Sequence, residues 1–161
     1  MQVMNNYELL SNFDLIELGQ MMDLKLNVVS KDKLKYSKYN PAGYIINLDD
    51  SDKGGSHWVG LYINKNDACY FDSFGEEPPL SVIKYCRNKN LIFSHYQIQH
   101  LNQIACGYYC LAFLHFMNFN KSNNNNINYK LNNFIKPFDL NDTTQNDNIL
   151  QNYFKNNVVL K

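Results

Sequence analysis

Apolar residues recur at Leu9, Leu10, Phe13, Ile16, Leu18, Met21 and Met22, the spacing of an amphipathic helix within Tyr7 to Leu26, and Ser11 or Asn12 stands where its cap belongs. A polar, lysine-rich stretch follows from Ser30 to Lys38. Tyr44-Ile45-Ile46-Asn47-Leu48, a short apolar run after Pro41 and Gly43, predicts a buried strand, and Asp49 to Ser56 reads as a turn-rich loop. Two further runs, His57 to Ile63 and Ala68 to Ser73, flank Asn64-Lys65-Asn66-Asp67, and short aromatic-rich runs around an asparagine-rich turn predict a hairpin. Pro78 and Pro79 open a helix to about Asn88, since proline suits the first helical turn, and Leu91 to Ile98 reads as another strand. From Cys106 to Phe119 the chain is dense in apolar residues, which predicts a buried helix. The tract Asn123 to Asn126 is expected on a surface loop, and the spacing of Ile149, Leu150, Tyr153 and Phe154 within Thr143 to Val159 predicts a peripheral helix. No repeat and no long linker divides the sequence, so residues 1–161 are expected to form a single domain.

Composition narrows the function classes. With 161 residues, 45% of them hydrophobic, the chain can bury roughly 70% of its unfolded surface and needs neither metal nor disulfide to fold. Fifteen basic residues balance fifteen acidic ones, so no overall field draws the protein to nucleic acid or to an anionic membrane. The lysines at Lys31, Lys33, Lys35 and Lys38 are the only concentrated basic group, and Asp32 interrupts it. No run approaches the roughly 18 to 20 apolar residues of a membrane span, and Met1 to Asn6 lacks the features of a signal peptide. The expected setting is therefore the interior of a cell or of a particle assembled there. Cys69, Cys86, Cys106 and Cys110 are then expected as thiols, used in catalysis or in packing.

The hairpin brings two of the candidate catalytic residues together. Numbered symmetrically about its turn, Ile63 faces Ala68 and Val59 faces Asp72, which makes His57 and Asp72 diagonal neighbours on one face. Diagonal partners lie about 7 to 8 Å apart at the backbone, within reach of a long polar side chain, whereas a one-residue slip would separate them. Cys106 stands at the expected loop-to-helix junction, where free N–H groups and the positive end of the helix dipole favour a thiolate. A neutral histidine nearby could take its proton. Gly107 would let substrate approach the backbone closely.

The segments Gly55-Ser56-His57-Trp58-Val59, Tyr70-Phe71-Asp72-Ser73-Phe74-Gly75 and Ile98-Gln99-His100-Leu101-Asn102-Gln103-Ile104-Ala105-Cys106-Gly107 resemble the adenain family of viral cysteine proteases, whose pattern recurs in virophages, Polinton-type elements and large DNA viruses and more distantly in the SUMO proteases. The resemblance runs from about Tyr44 to His115. It implies an α+β fold with a mixed central β-sheet packed between helices. It also implies Cys106 as nucleophile, His57 as general base, Asp72 as its orienter, and Gln99 as donor to an oxyanion hole beside the Cys106 N–H. Adenain has glutamate where Asp72 stands, whereas the SUMO proteases use aspartate. The SUMO proteases carry their glutamine one position later, where this chain has His100, so Gln97 and Gln103 stand as weaker candidates.

By the same resemblance Trp58 walls the substrate cleft, no metal or organic cofactor is needed, and the substrates are viral capsid precursor polypeptides cut during virion maturation. The adenovirus relative is activated by DNA and by a peptide; nothing in this sequence indicates either partner, a membrane, or more than a monomer. The rival functions are a protease of SUMO or ubiquitin-like conjugates and a catalytically inactive binding module. Other readings attach to single residues: Asp72 as a turn cap, Cys110 and Cys69 as packing, Cys86 as a thiol on a helix surface, and His95, His100 and His115 as structural. A zinc site from Cys106, Cys110 and His115 has the wrong spacing.

Overall fold

The computed structural model describes residues 7–53 and 57–159. The expectations for Met1 to Asn6 and for Gly55 and Ser56 lie outside the described residues.

Helix α1 (Asn12–Met21) starts at Ser11, whose Oγ accepts the Asp14 N–H at 3.2 Å while the Asp14 carboxylate accepts the Ser11 N–H at 2.8 Å. Five strands follow in one sheet: β1 (Asn27–Ser30), β2 (Tyr44–Asn47), β3 (Trp58–Ile63), β4 (Asp67–Phe71) and β5 (Asn90–Phe93), ordered β1-β2-β3-β4-β5. β1 with β2 and β4 with β5 run parallel; the central pairs run antiparallel. A 3-10 turn at Leu34–Tyr36 bridges the first parallel pair, and helix α2 (Leu80–Tyr85) the second.

The strands alternate between two apolar layers, as period two requires. Ile45, Cys69 and Phe71 face α3 (Cys106–Phe119) and its neighbours, while Tyr44, Ile46, Leu61 and Tyr70 face Leu34, Val82 and Cys86. Helix α3 is buried at every position from Cys106 to His115, as a helix that is apolar on all sides should be. Its Phe113 stacks on Phe71 with centroids 4.9 Å apart, directly over Gly60, where a Cβ would come within 2.9 Å of the Phe113 ring. Helices α4 (Ile127–Ile135) and α5 (Asn146–Asn157) pack on α3.

Two elements were not predicted, and two local expectations need correction. β1 was not predicted, because it carries only two apolar residues and all four of its positions are half-buried at the sheet edge. The asparagine tract lies on an exposed loop, as expected, and ends in the cap of the unpredicted α4: the Asn126 side chain accepts the N–H groups of Asn128 and Tyr129. β5 stops at Phe93, after which the chain leaves the sheet and the N–H groups of Ile98 and Gln99 both donate to the Ser73 carbonyl. Cys86 lies just past the end of α2 and is buried among Leu34, Val82 and Ala68, not on a surface.

Candidate active site

The hairpin register pairs Ile63 with Ala68 and Gly60 with Phe71, which continues to Val59 opposite Asp72. His57 stands one residue before β3 and Asp72 one residue after β4, so the two share a side of the ribbon. His57 Nε2 lies 2.7 Å from Asp72 Oδ1. Asp72 is buried, and its Oδ1 also accepts the Phe74 N–H at 2.8 Å. The turn closes with Gly75 donating to the Asp72 carbonyl at 2.8 Å, and Phe74 stacks on the imidazole with centroids 4.8 Å apart.

Cys106 is the first residue of α3 and is 4% exposed. No side chain caps this helix, so the N–H groups of its first turn keep their donor capacity. Cys106 lies close enough to the His57 ring to act on its ionisation, and since Asp72 occupies Nε2, Nδ1 is the nitrogen left for sulfur. Burial works against a charged His57, but the hydrogen bonds and negative charge of Asp72 and Cys106 outweigh it and raise the imidazole pKa to about 9. The helix therefore presents sulfur to an imidazole that a buried carboxylate orients and keeps basic. Such an arrangement can remove a thiol proton and hold the resulting ion pair.

Gln99 is 1% exposed, with its side chain turned toward the loop that leads into Cys106. Its Nε2 donates to the Gln103 carbonyl at 2.8 Å, and its Oε1 accepts from Ser73 Oγ at 2.6 Å. Among the described residues the second Nε2 hydrogen has no partner, and Gln103, which holds the amide, precedes Cys106 by three residues. The two weaker glutamine candidates act as framework: Gln97 donates to the Gln99 carbonyl, and Gln103 supplies the carbonyl that holds the Gln99 amide. Asn146, fully buried at the start of α5, donates to the Ile98 carbonyl and ties this loop to the C-terminal helix.

Trp58 is 7% exposed and belongs to the core, yet it also borders a cleft of about 640 Å³ together with Leu9, Leu10, Val28, Ser30 and Asn47. Its Nε1 donates to the Leu10 carbonyl at 2.9 Å. None of the four polar site residues lines that cleft; its links to the site are Trp58, which follows His57 in sequence, and Leu10, which packs against Gly107. Gly107 departs from expectation. A Cβ there would meet Leu10 and Leu15 side chains at 3.2 Å, so its missing side chain serves the packing of α1 on α3, not an approach by substrate.

Cys69, Cys110, His100 and His115 have structural surroundings. Cys69 and Cys110 are fully buried, and burial pushes both thiols up. His115 meets the Tyr153 hydroxyl at 2.8 Å and His100 the Thr143 hydroxyl at 3.1 Å. Among the described residues, no three His, Cys, Asp or Glu side chains cluster as a metal site, and no helix is long and apolar enough to cross a membrane. In the lysine-rich segment Lys31 approaches Asp50 at 3.8 Å and Lys35 lies over the Tyr36 ring, and both line one cleft with Asp32, Lys84 and Arg87.

Sequence roles missed two residues of the turn, Ser73 and Phe74, which hold Gln99 and His57 respectively. Their only signal was their place between Asp72 and Gly75.

No protein-family model matches the chain. Over 90 residues it is 29% identical to African swine fever virus proteins named SUMO-1 cysteine protease in some isolates and cysteine protease in others; the aligned part covers 47% of this chain and 33% of those proteins. The match thus spans about a third of the length of these relatives. Among solved structures, the crystal structure of the pS273R protease of the same virus superposes with a TM-score of 0.60 at 17% identity, covering 98% of this chain and 70% of that one, and its selenomethionine form with a TM-score of 0.57. The mixed five-stranded sheet between helices is the fold of that viral cysteine protease, and the curated proteins this chain matches are named cysteine proteases.

Proposed function

We propose that this chain is a cysteine endopeptidase of the adenain type that cleaves viral capsid precursor polypeptides during particle maturation. The observation that carries the reading is the placement of His57 between the buried Asp72, at 2.7 Å, and Cys106 at the uncapped start of α3. In this reading His57 takes the Cys106 proton and the sulfur attacks the scissile carbonyl. The carbonyl oxygen gains the negative charge and is met by the Cys106 N–H and the free Nε2 hydrogen of Gln99. Protonated His57 then delivers its proton to the leaving amine as the C–N bond breaks. A thioester remains, which water attacks with His57 again as base. Trp58 walls the cleft that receives the substrate in this reading. Activity is expected where particles assemble, in the host cell interior and in the virion.

A second reading, cleavage of SUMO or ubiquitin-like conjugates, is favoured by the name SUMO-1 cysteine protease that several relatives carry. One experiment separates the two. The purified protein and its Cys106→Ala variant are incubated in parallel with precursor capsid proteins encoded beside the gene and with SUMO and ubiquitin conjugates, and the products are read by mass spectrometry. Cleavage of the precursors alone supports the first reading, and cleavage of conjugates alone supports the second. Equal cleavage by Cys106→Ala overturns both.

A further inference from the structure

The turn that follows β4 holds two separate parts of the candidate site. Asp72 grips His57, while the next residue, Ser73, grips Gln99 across a sequence separation of 26 residues. Ser73 is fully buried, and two contacts fix Gln99 to it: the Ser73 carbonyl accepts the Gln99 N–H at 3.0 Å, and its hydroxyl donates to Gln99 Oε1 at 2.6 Å. The orientation of the amide follows from its partners. The Gln103 carbonyl, at 2.8 Å, can only accept, so it must face Nε2. Oε1 then faces Ser73, whose hydroxyl hydrogen has to point at it. Without that hydroxyl Oε1 would be a buried acceptor with no partner, and the amide plane could turn its free N–H away from the carbonyl it is meant to meet.

We infer that Ser73 is a positioning residue for the oxyanion hole: its hydroxyl sets the plane of the Gln99 amide and so aims the remaining Nε2 hydrogen at the charge that develops beside Cys106. This rests on the cysteine-protease reading and adds to it the residue that preorganises the donor. The consequence is chemical selectivity. Loss of the hydroxyl should slow reactions of Cys106 that pass through a tetrahedral oxyanion and spare those that do not.

Two small reagents make that distinction without a specific peptide. p-Nitrophenyl acetate acylates the sulfur through a tetrahedral oxyanion: an S–C bond forms, p-nitrophenolate leaves, and a thioester remains. Iodoacetamide alkylates the same sulfur by direct displacement of iodide, with no oxyanion. In Ser73→Ala we expect acylation to fall by about tenfold, less than the hundredfold or more typical of deleting a donor outright, with alkylation of Cys106 unchanged within about twofold. Gln99→Ala should show the same selective loss, and the double variant no more than Gln99→Ala alone, because both act through one group. Labelling is read at Cys106 by mass spectrometry. If thermal melting shows that Ser73→Ala does not fold, Ser73→Cys, somewhat larger and a weak donor, takes its place. Unchanged acylation, equal loss of both reactions, or additive losses in the double variant would overturn the role of Ser73. If neither reagent modifies Cys106 in the unaltered protein, the cysteine-protease reading itself is overturned, and the inference with it.

Discussion

The imidazole of His57 lies against the face of Phe74, with ring centroids 4.8 Å apart and planes 29° from parallel, and the Phe74 N–H donates to the same Asp72 oxygen that His57 contacts. One residue thus covers the base and supports the carboxylate that orients it. Phe74→Ala should free the ring to rotate and admit water to the His57–Asp72 contact. The expected result is a loss of about tenfold in kcat/KM, since small misplacements of a reacting group are costly. Phe74→Leu, which keeps an apolar cover, should lose less. Steady-state kinetics on a peptide taken from a cleaved precursor measures both, and a fully active Phe74→Ala would remove the cover from the mechanism.

The raised pKa of His57 has a signed consequence. Burial alone would lower it, but Asp72 and Cys106 raise it from 6.5 to about 9. The protonated imidazole is therefore favoured in the folded state. Its contribution to stability is complete below about pH 6.5, the unfolded value, and is lost as pH rises through about 9. The same proton serves the leaving amine, so the alkaline limb of kcat/KM should fall near pH 9. A pH profile of hydrolysis, with a melting series across the same range, tests both. An alkaline limb at pH 7 would mean that His57 is not held as the structure holds it.

Asp72→Asn keeps the shape of the contact and removes the charge. With one of the groups that raise the His57 pKa weakened, the alkaline limb should move toward neutral pH, and the amide can hold the wrong tautomer of the ring. The loss in kcat should be smaller than for His57→Ala, because a thiol gives up its proton more readily than a hydroxyl, and KM should stay close to that of the unaltered protein. A parallel loss in KM would point to a disturbed cleft.

Local pattern carried much of this architecture. The asparagine-rich turn fixed the hairpin register, the register set His57 beside Asp72, and the apolar run from Cys106 to Phe119 has the limits of α3. What was not legible depends on tertiary context. Val28 and Val29 sit in an edge strand too short to show alternation. Ile127, Leu131, Phe134 and Ile135 form the buried stripe of α4, in a segment with no predicted element between the asparagine tract and Thr143. Cys86 follows the buried Val82 by four residues and shares its face, packing with it in the layer that holds Leu34 and Ala68. Gly107 was read by its neighbour Cys106, whereas Leu10 and Leu15, distant in sequence, decide its use. The link between Ser73 and Gln99 has no local signature.

Cys106 and Cys110 occupy successive turns of α3, and their surroundings separate their roles. Burial holds the Cys110 thiol well up, and it lies in the core. Cys106→Ala should abolish cleavage while the melting temperature stays close to that of the unaltered protein. Cys110→Ala should retain most activity and cost about 1 kcal/mol of stability through the cavity left by its sulfur. Equal loss of activity in both variants would mean that the nucleophile has been misassigned.

Gly75 closes the turn that carries Asp72, Ser73 and Phe74, and its backbone sits at φ +75°, in the left-handed region. The turn presses on the segment that follows β5: a Cβ at Gly75 would lie 2.6 Å from the His95 carbonyl oxygen and 2.9 Å from the Gln97 nitrogen, both backbone atoms that cannot swing aside. Gly75→Ala must therefore strain φ and push the turn away from the loop that leads to Gln99. The expected cost is at least about 2 kcal/mol, from left-handed strain and backbone overlap together. For a chain of this size that lowers the melting temperature by about 4 to 8 °C. Cleavage should fall as well at temperatures where the variant remains folded, because His57 and Gln99 are both held from this turn. Glu76→Ala, one residue on and exposed, is the control and should change neither quantity. If Gly75→Ala melts and cleaves like the unaltered protein, the turn does not govern the site.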